Sequence, residues 1–255
     1  MAYKRISVQE GRWFLTDRIR DLVDWWHTPQ SQGKAPPPVQ KPVLEEASVI
    51  MLPDRNTWQF PACTLVEAIA RRESHRRFVE TPLSQTELSF LLWSSQGVRK
   101  QLHETAVLRT VPSAGCRHPF ETYLVVLRVE GLTPGIYRFL PLEHALVLEH
   151  SPEDPAQLIT AAARGQRFAG QAAVTFIWSA IPARTEWRYA EASAKVIALD
   201  AGHVCQNLYL ACEAIGCGTC AIAAYDQDRA DQLIGADGND EFVIYMSPVG
   251  KVGLS

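Results

Sequence analysis

Apolar positions along the chain recur with two periods, and these divide it into elements. Leu15, Ile19, Leu22 and Trp26 recur at +4, +3 and +4, the stripe of an amphipathic helix. Trp13, Trp25 and Trp26 crowd the same segment, so it is expected to pack on the main body or on a partner subunit. Residues 28–61 show no period. Seven of the 16 prolines lie between Pro29 and Pro61, Pro36-Pro37-Pro38 among them, and the stretch reads as an extended arm. Residues 1–61 are therefore an N-terminal extension, and 62–255 the main domain.

From Pro61 onward helix and strand patterns mix, which predicts an α+β class. Thr64 N-caps a helix over Leu65–Arg72, with Glu67 completing a capping box. Ser84 and Glu87 repeat that spacing for a helix over Glu87–Gln96, stopped by Gly97. Thr122–Val129 is a β-rich run, and Gly135–Leu140 with His144–Glu149 reads as a hairpin around Pro141. Pro155–Phe168 is helical and Ala173–Ser179 a buried strand. In Ala201–Ile215, Val204, Leu208, Ala211 and Ile215 share one helical face, and Gly216 stops it. A helix over Asp226–Ile234 and a strand over Phe242–Val249 complete the chain. Asp237–Glu241 is the turn between them rather than a calcium loop.

Composition then removes whole classes. Of 255 residues 47% are apolar and 21% charged, ordinary globular usage. The net charge of −3 argues against a general nucleic-acid or membrane-surface binder. No apolar run approaches the ~20 residues of a membrane span, and residues 1–10 lack a secretory signal pattern. Four of the six cysteines (Cys205, Cys212, Cys217, Cys220) cluster late in apolar sequence. They read as reduced, buried thiols of a cytoplasmic protein, not as a disulfide framework.

Three segments carry candidate chemistry. Arg71–Phe78 holds four Arg and one Glu, with Ser74 among them. Charge, hydroxyl and backbone donors suit a phosphate, although a solvated basic helix end would look the same. Val111–Pro119 places small residues between prolines, a rigid loop that a flat ligand could approach closely, or a plain connection into the next strand. Gly216-Cys217-Gly218-Thr219-Cys220-Ala221 matches the Gly-x-Gly-x-x-Gly/Ala spacing, but it follows a helix where the dinucleotide fingerprint follows a strand. The Cys217/Cys220 pair lacks a second pair at zinc spacing, so no metal site is expected. His203, alone on the long helix, reads as packed or hydrogen-bonded.

In this order, Arg72-x-Ser74-x-Arg76-x-Phe78, Pro112-Ser113-Ala114-Gly115-x-x-x-Pro119, Ala201–Ala211, Gly216-x-Gly218-Thr219-Cys220 and Ser247-Pro248-Val249-Gly250-Lys251 resemble the flavin-dependent nitroreductase superfamily. Gly202-His203 with Gln206-Asn207, and the Pro-Val-Gly-Lys ending, are similar to its SagB-type dehydrogenase branch. The likeness covers about residues 62–252. It implies a nitroreductase-like α+β fold with a central, mainly antiparallel sheet wrapped by helices. It also implies an intertwined homodimer with two FMN sites at the interface. Arg72, Ser74 and Arg76 would then hold the phosphate and ribityl chain. Pro112, Ser113, Ala114 and Gly115, from the partner subunit, would line the isoalloxazine. Ala221, Ile222, Ala223 and Ala224 would pass the flavin N5 edge, and Lys251 would reach the phosphate. The implied activity is hydride transfer through FMN to or from a small organic or peptide-derived substrate, with NAD(P)H as candidate reductant.

Azoline-oxidising relatives carry a Lys-Tyr pair before the long helix. Arg188-Tyr189 takes that place here as the candidate catalytic pair, and Lys195 stands where Arg is usual. Arg stays protonated and is a poor general base, so azoline oxidation stays open. Two other readings stand beside the enzyme: a catalytically degenerate flavoprotein-like dimer acting as a scaffold, and a protein that stores FMN without turnover.

Overall fold

The computed structural model describes residues 5–44 and 46–253. The predicted extension reaches into residues 1–4 and 45, and the main domain into 254–255, which lie outside the described residues.

The first helix, α1 (Val8–Leu15), begins earlier than the apolar stripe suggests. Ser7 caps it, its Oγ accepting from Glu10 N–H at 3.1 Å while the Glu10 carboxylate accepts from Ser7 N–H at 2.7 Å. Thr16 leaves helical geometry and its hydroxyl donates back to Trp13 O at 2.7 Å. The rest of the predicted helix is only a 3-10 turn over Arg18–Leu22. Within this chain Leu15, Leu22 and Trp26 remain exposed, and of the stripe only Ile19 is half-buried.

The arm is extended, as its prolines require, and it is pinned down. Within it, β1 (Val49–Met51) forms a short strand. Buried Arg109 donates to Val39 O at 2.9 Å, and Arg138 donates to Lys41 O at 3.2 Å and Pro42 O at 3.0 Å. These bonds satisfy backbone carbonyls that no regular ladder serves.

The helices α2 (Leu65–Arg71) and α3 (Gln85–Gln96) start at Thr64 and Ser84 with both capping boxes formed. Next, β2 (Val98–His103) and β3 (Ala106–Arg109) pair as a separate hairpin. Polar β2 lacks the alternation that would have announced it. The strands β4 (Phe120–Val126), β5 (Gly135–Leu140) and β6 (Ala145–His150) follow. The predicted helix over 155–168 is two, α4 (Pro155–Ala162) and α5 (Phe168–Gln171), because Arg164 and Gly165 take φ of 55° and 80°. After β7 (Val174–Ala180) come α6 (Ala183–Tyr189) and α7 (Ser193–Ala214). The latter starts eight residues before the predicted helix, since Ile197 extends the buried stripe upstream. Last are β8 (Cys217–Thr219), α8 (Gln227–Ile234) and β9 (Phe242–Lys251).

One seven-stranded sheet runs β1-β6-β5-β4-β7-β9-β8 with every pairing antiparallel. Alternate residues of its strands face opposite layers. Leu124, Phe176 and Trp178 pack in the layer of α3 and α7, with Leu88, Leu92, Val204 and Leu208. Tyr123, Val125 and Ile177 pack in the layer of α4 and α8, with Ile159, Ala162 and Leu233. The chain is thus α+β, with a mainly antiparallel sheet wrapped by helices, as expected. Among the described residues no helix is long and apolar enough to cross a membrane. All six cysteines are free, and the four late ones are buried.

Candidate active site

Two clusters gather the predicted site residues, and α7 runs past both. The first lies at its C-terminal half. Arg72 caps the end of α2, and the chain beyond it follows the edge of the sheet. His75 N–H donates to Thr219 O and Val79 N–H to Lys251 O, each at 2.9 Å. Two motif glycines make this approach possible. A Cβ on Gly218 would lie 2.5 Å from the His75 ring, and one on Gly250 2.9 Å from Phe78. The segment therefore holds Arg72, Ser74 and Arg76 at one sheet edge, with Arg76 and Ser74 exposed.

Tyr209 of α7 ties this segment to Ala221. Its hydroxyl lies 3.0 Å from Ser74 Oγ and accepts from Ala221 N–H at 2.8 Å. The Arg72 guanidinium sits 5.5 Å from the Tyr209 ring centroid, a cation–π distance. Among the described residues no carboxylate pairs with Arg72 or Arg76. Ala223 and Ala224 are exposed nearby, whereas the Ile222 side chain is buried and its backbone pairs with Met246. Lys251 projects from the end of β9 onto the Glu87 carboxylate. Burial opposes its charge, but Glu87 and Cys217 together outweigh that and raise its pKa, so the ammonium persists.

The second cluster lies at the other half of α7. Buried Asp200 accepts from Ser113 Oγ at 2.6 Å and from Ala114 N–H at 3.1 Å. Ser113 Oγ in turn accepts from His118 N–H at 2.9 Å. Burial raises the Asp200 pKa, while the bonds from Ser113 and Ala114 pull it back. Gly115 adopts φ +58°, and a Cβ there would meet Arg188 Cδ at 2.8 Å and Tyr189 Oη at 2.9 Å. The loop Pro112–Gly115 thus packs directly on the Arg188-Tyr189 pair. A cavity of about 340 Å³ opens beside it, lined by Pro112, Ser113, Cys116, Arg99, Arg109 and His118. His118 is pushed down to about 3 by burial and by Arg109, Arg117 and Arg184, so it is neutral. The extension reaches this cluster as well: Arg20 stands 5.8 Å from the Tyr189 ring centroid.

Asp200 and Tyr209 are nine residues apart, about 14 Å along a helix rising 1.5 Å per residue. One chain therefore holds the predicted residues in two separate clusters. A larger cavity, about 700 Å³, lies between Phe14, α6, the start of α7 and β9, and contains none of them. Sequence reasoning missed Asp200 and Tyr209 as site residues. The available signal was Asp200, a carboxylate within the stripe Ile197, Ala201 and Val204, where only a partnered one is tolerated.

The first cluster fits a phosphate, since Arg72 and Arg76 pair with no acid among the described residues and a hydroxyl lies between them. The second fits the edge of a planar ring, since Gly115 and Ala114 leave the loop surface low.

Known proteins resemble the chain in sequence and fold. The family model described as "Nitroreductase family" matches residues 69–251. A curated protein of Methanocaldococcus jannaschii, provisionally named a nitroreductase, is 30% identical over 187 residues, covering 73% of this chain and 90% of that protein. A crystal structure from Ralstonia eutropha JMP134, provisionally named likewise, is 25% identical with a TM-score of 0.67, over 87% of this chain and 96% of that one. A structure from Desulfovibrio desulfuricans in complex with FMN shares the fold at 16% identity and a TM-score of 0.52, over 76% of this chain and 89% of that one.

Proposed function

The chain belongs to the nitroreductase family, and on that premise we propose that it is an FMN-dependent oxidoreductase whose site is completed by a second copy. The observation that carries this is the division of the half-sites along α7. Between them the helix exposes Gly202, with nothing within 4 Å of its Cβ position, and Leu199 and Gln206 on the same face. Two α7 helices packed antiparallel over that face bring the Asp200-held loop of one protomer to the Arg72–Ser74–Tyr209 cluster of the other. Such a two-fold contact is self-complementary and closed, as homodimers require.

Bound FMN supplies hydride transfer through its N5 atom. Arg72 and Arg76 bind its phosphate as cations with free forks, and Ser74 adds a hydroxyl. Lys251, neutralised in part by Glu87, adds positive potential at the same edge. Pro112–Gly115 of the partner protomer lie along the ring, and Ala221–Ala224 pass its edge by backbone. Arg188 supplies a permanent positive charge and Tyr189 a hydroxyl to the substrate side of that loop. They orient a small organic or peptide-derived substrate, and NAD(P)H serves as reductant. The ordered motifs favour the SagB-type branch, and the buried thiols are consistent with the cytoplasm. Residues 62–255 form the flavin-binding unit, and residues 1–61 serve it as an extension.

Flavin fluorescence quenching and sedimentation test this reading. A dimer that quenches FMN is expected, whereas a monomer, or a dimer that leaves FMN fluorescence untouched, overturns it. Complementation is sharper. A chain carrying Arg72→Ala/Arg76→Ala and a chain carrying Gly115→Val each lack FMN binding alone. Mixed by refolding, they should regain roughly a quarter of the sites, because half the dimers pair one intact half-site of each kind. No recovery means that each site lies within one chain.

A second reading has its own observation. Trp26 is 83% exposed and Leu22 71%, a patch on the extension that suits a protein partner. In that case the dimer is a degenerate scaffold. An FMN-loaded protein that no nicotinamide cofactor reduces in stopped flow would support it.

A further inference from the structure

The Tyr209 hydroxyl stands where the phosphate segment meets the Ala221 stretch. Ala221 N–H donates to it at 2.8 Å, and Ser74 Oγ lies 3.0 Å away. The ring is held by α7 on one side and by the Arg72 guanidinium, 5.5 Å from its centroid. A phenol has one hydrogen to give and lone pairs to accept with. With Ala221 N–H entering the oxygen, that hydrogen has Ser74 Oγ within reach. The three groups then form a directed chain, N–H to O–H to O–H, in which each bond strengthens the next. At its end Ser74 keeps one hydrogen and has no other hydrogen-bond partner among the described residues. That hydrogen sits on an exposed residue between Arg72 and Arg76.

We infer that Tyr209 is a positioning residue that fixes Ser74 as a hydrogen-bond donor toward the phosphate of FMN. It thereby ties the phosphate segment to the Ala221 backbone. This rests on the FMN reading above. Tyr209 touches no reacting atom; the part of its contribution that acts through Ser74 is specific to the anionic end of the ligand.

Tyr209→Phe removes only the hydroxyl and keeps the ring under Arg72. The full chain is titrated with FMN and, separately, with riboflavin, which has the same ring and ribityl chain and no phosphate. The FMN Kd should rise about tenfold, the worth of one hydrogen bond to a charged group. The riboflavin Kd should change less than about twofold on the same scale. Ser74→Ala alone and Ser74→Ala with Tyr209→Phe should lose the same FMN affinity, because both delete one shared bond. Equal losses for the two flavins, additive losses in the double variant, or unchanged FMN binding by Tyr209→Phe would each overturn the inference. Thermal melts matching the unaltered chain show that the variants are folded. An unaltered chain that binds neither flavin defeats the FMN reading itself, before Tyr209 is in question.

Discussion

Around Asp200 the Ser113, Ala114 and His118 donors are satisfied inside the chain, whereas Arg72 and Arg76 pair with no acid among the described residues. Ser113 Oγ, Ala114 N–H and His118 N–H all close on one another or on the carboxylate. Arg72 faces an aromatic ring and Arg76 faces solvent. Both clusters lie along α7, yet only in the Asp200 cluster do the loop donors find their acceptors within the chain. The contrast separates a wall that the fold builds for itself from a socket that needs an anion. A residue of the wall should matter for stability, and a residue of the socket for binding.

The strongest way to break this comparison is to remove both socket cations. Arg72→Ala/Arg76→Ala deletes two charge-assisted contacts, each worth roughly 1.5–3 kcal/mol. FMN affinity should fall more than about a hundredfold, read by fluorescence titration. The melting temperature should stay within about 2 °C, since neither side chain has a buried partner to lose. A large drop in melting temperature with FMN binding retained would reverse the assignment of the two clusters.

Asp200→Ala should do the opposite. It strands the Ser113 hydroxyl and the Ala114 N–H, both otherwise directed at a carboxylate that is 4% exposed. The cost is roughly 2–3 kcal/mol of stability, measurable by urea unfolding. FMN binding should weaken as well, because the loop that forms the wall loses its anchor. A variant as stable as the parent would show that the wall is not held from α7.

How much of this the sequence discloses depends on whether the signal is local. The capping boxes at Thr64/Glu67 and Ser84/Glu87 were readable because both partners lie within one turn. The same box at Ser7/Glu10 was overlooked, and with it the true position of α1. The binding motifs were readable as types: cations around Ser74 and small residues from Pro112 to Gly115. Their gathering into two clusters was not, because it arises from Asp200 bonding residue 113 and Tyr209 bonding residues 74 and 221. Such pairings span 87 and 135 positions, and no period or spacing encodes them. Glycines 218 and 250 stand in motifs that carry the family resemblance, and within one chain each admits a neighbouring side chain.

Acid offers a milder probe of the wall. Burial and three nearby arginines hold His118 down to about 3, and burial lowers His144 too. The folded chain therefore refuses a proton that the unfolded histidine accepts below about 6.5. Stability is fully present above that value and is lost as pH falls below it, by at most about 1.4 kcal/mol per pH unit for each histidine. Buried Asp200, with its raised pKa, has the opposite slope just above the ordinary aspartate range, so the histidine effect is cleanest from about pH 6.5 to 5. His118→Asn should flatten part of the slope, and asparagine tolerates the φ of +46° found there. An unchanged slope would mean that the wall is wetter than its burial indicates.

The smallest effect tests what lies between the two clusters. Gly202 is interior to α7, and a Cβ added there meets nothing within 4 Å. Considered as one chain, Gly202→Ala should stabilise the helix by roughly 0.5–1 kcal/mol. If a second α7 packs on that face, the missing Cβ is what lets the helices approach, and the same substitution must push them apart. The two cases differ in sign in one experiment. Sedimentation across a dilution series should show the dimer of Gly202→Ala dissociating at higher concentration than the parent, even as helix propensity improves. FMN affinity should fall with it, because wall and socket then belong to different protomers. A dimer tightened or unchanged by the alanine would remove α7 from the interface and return both half-sites to a single chain.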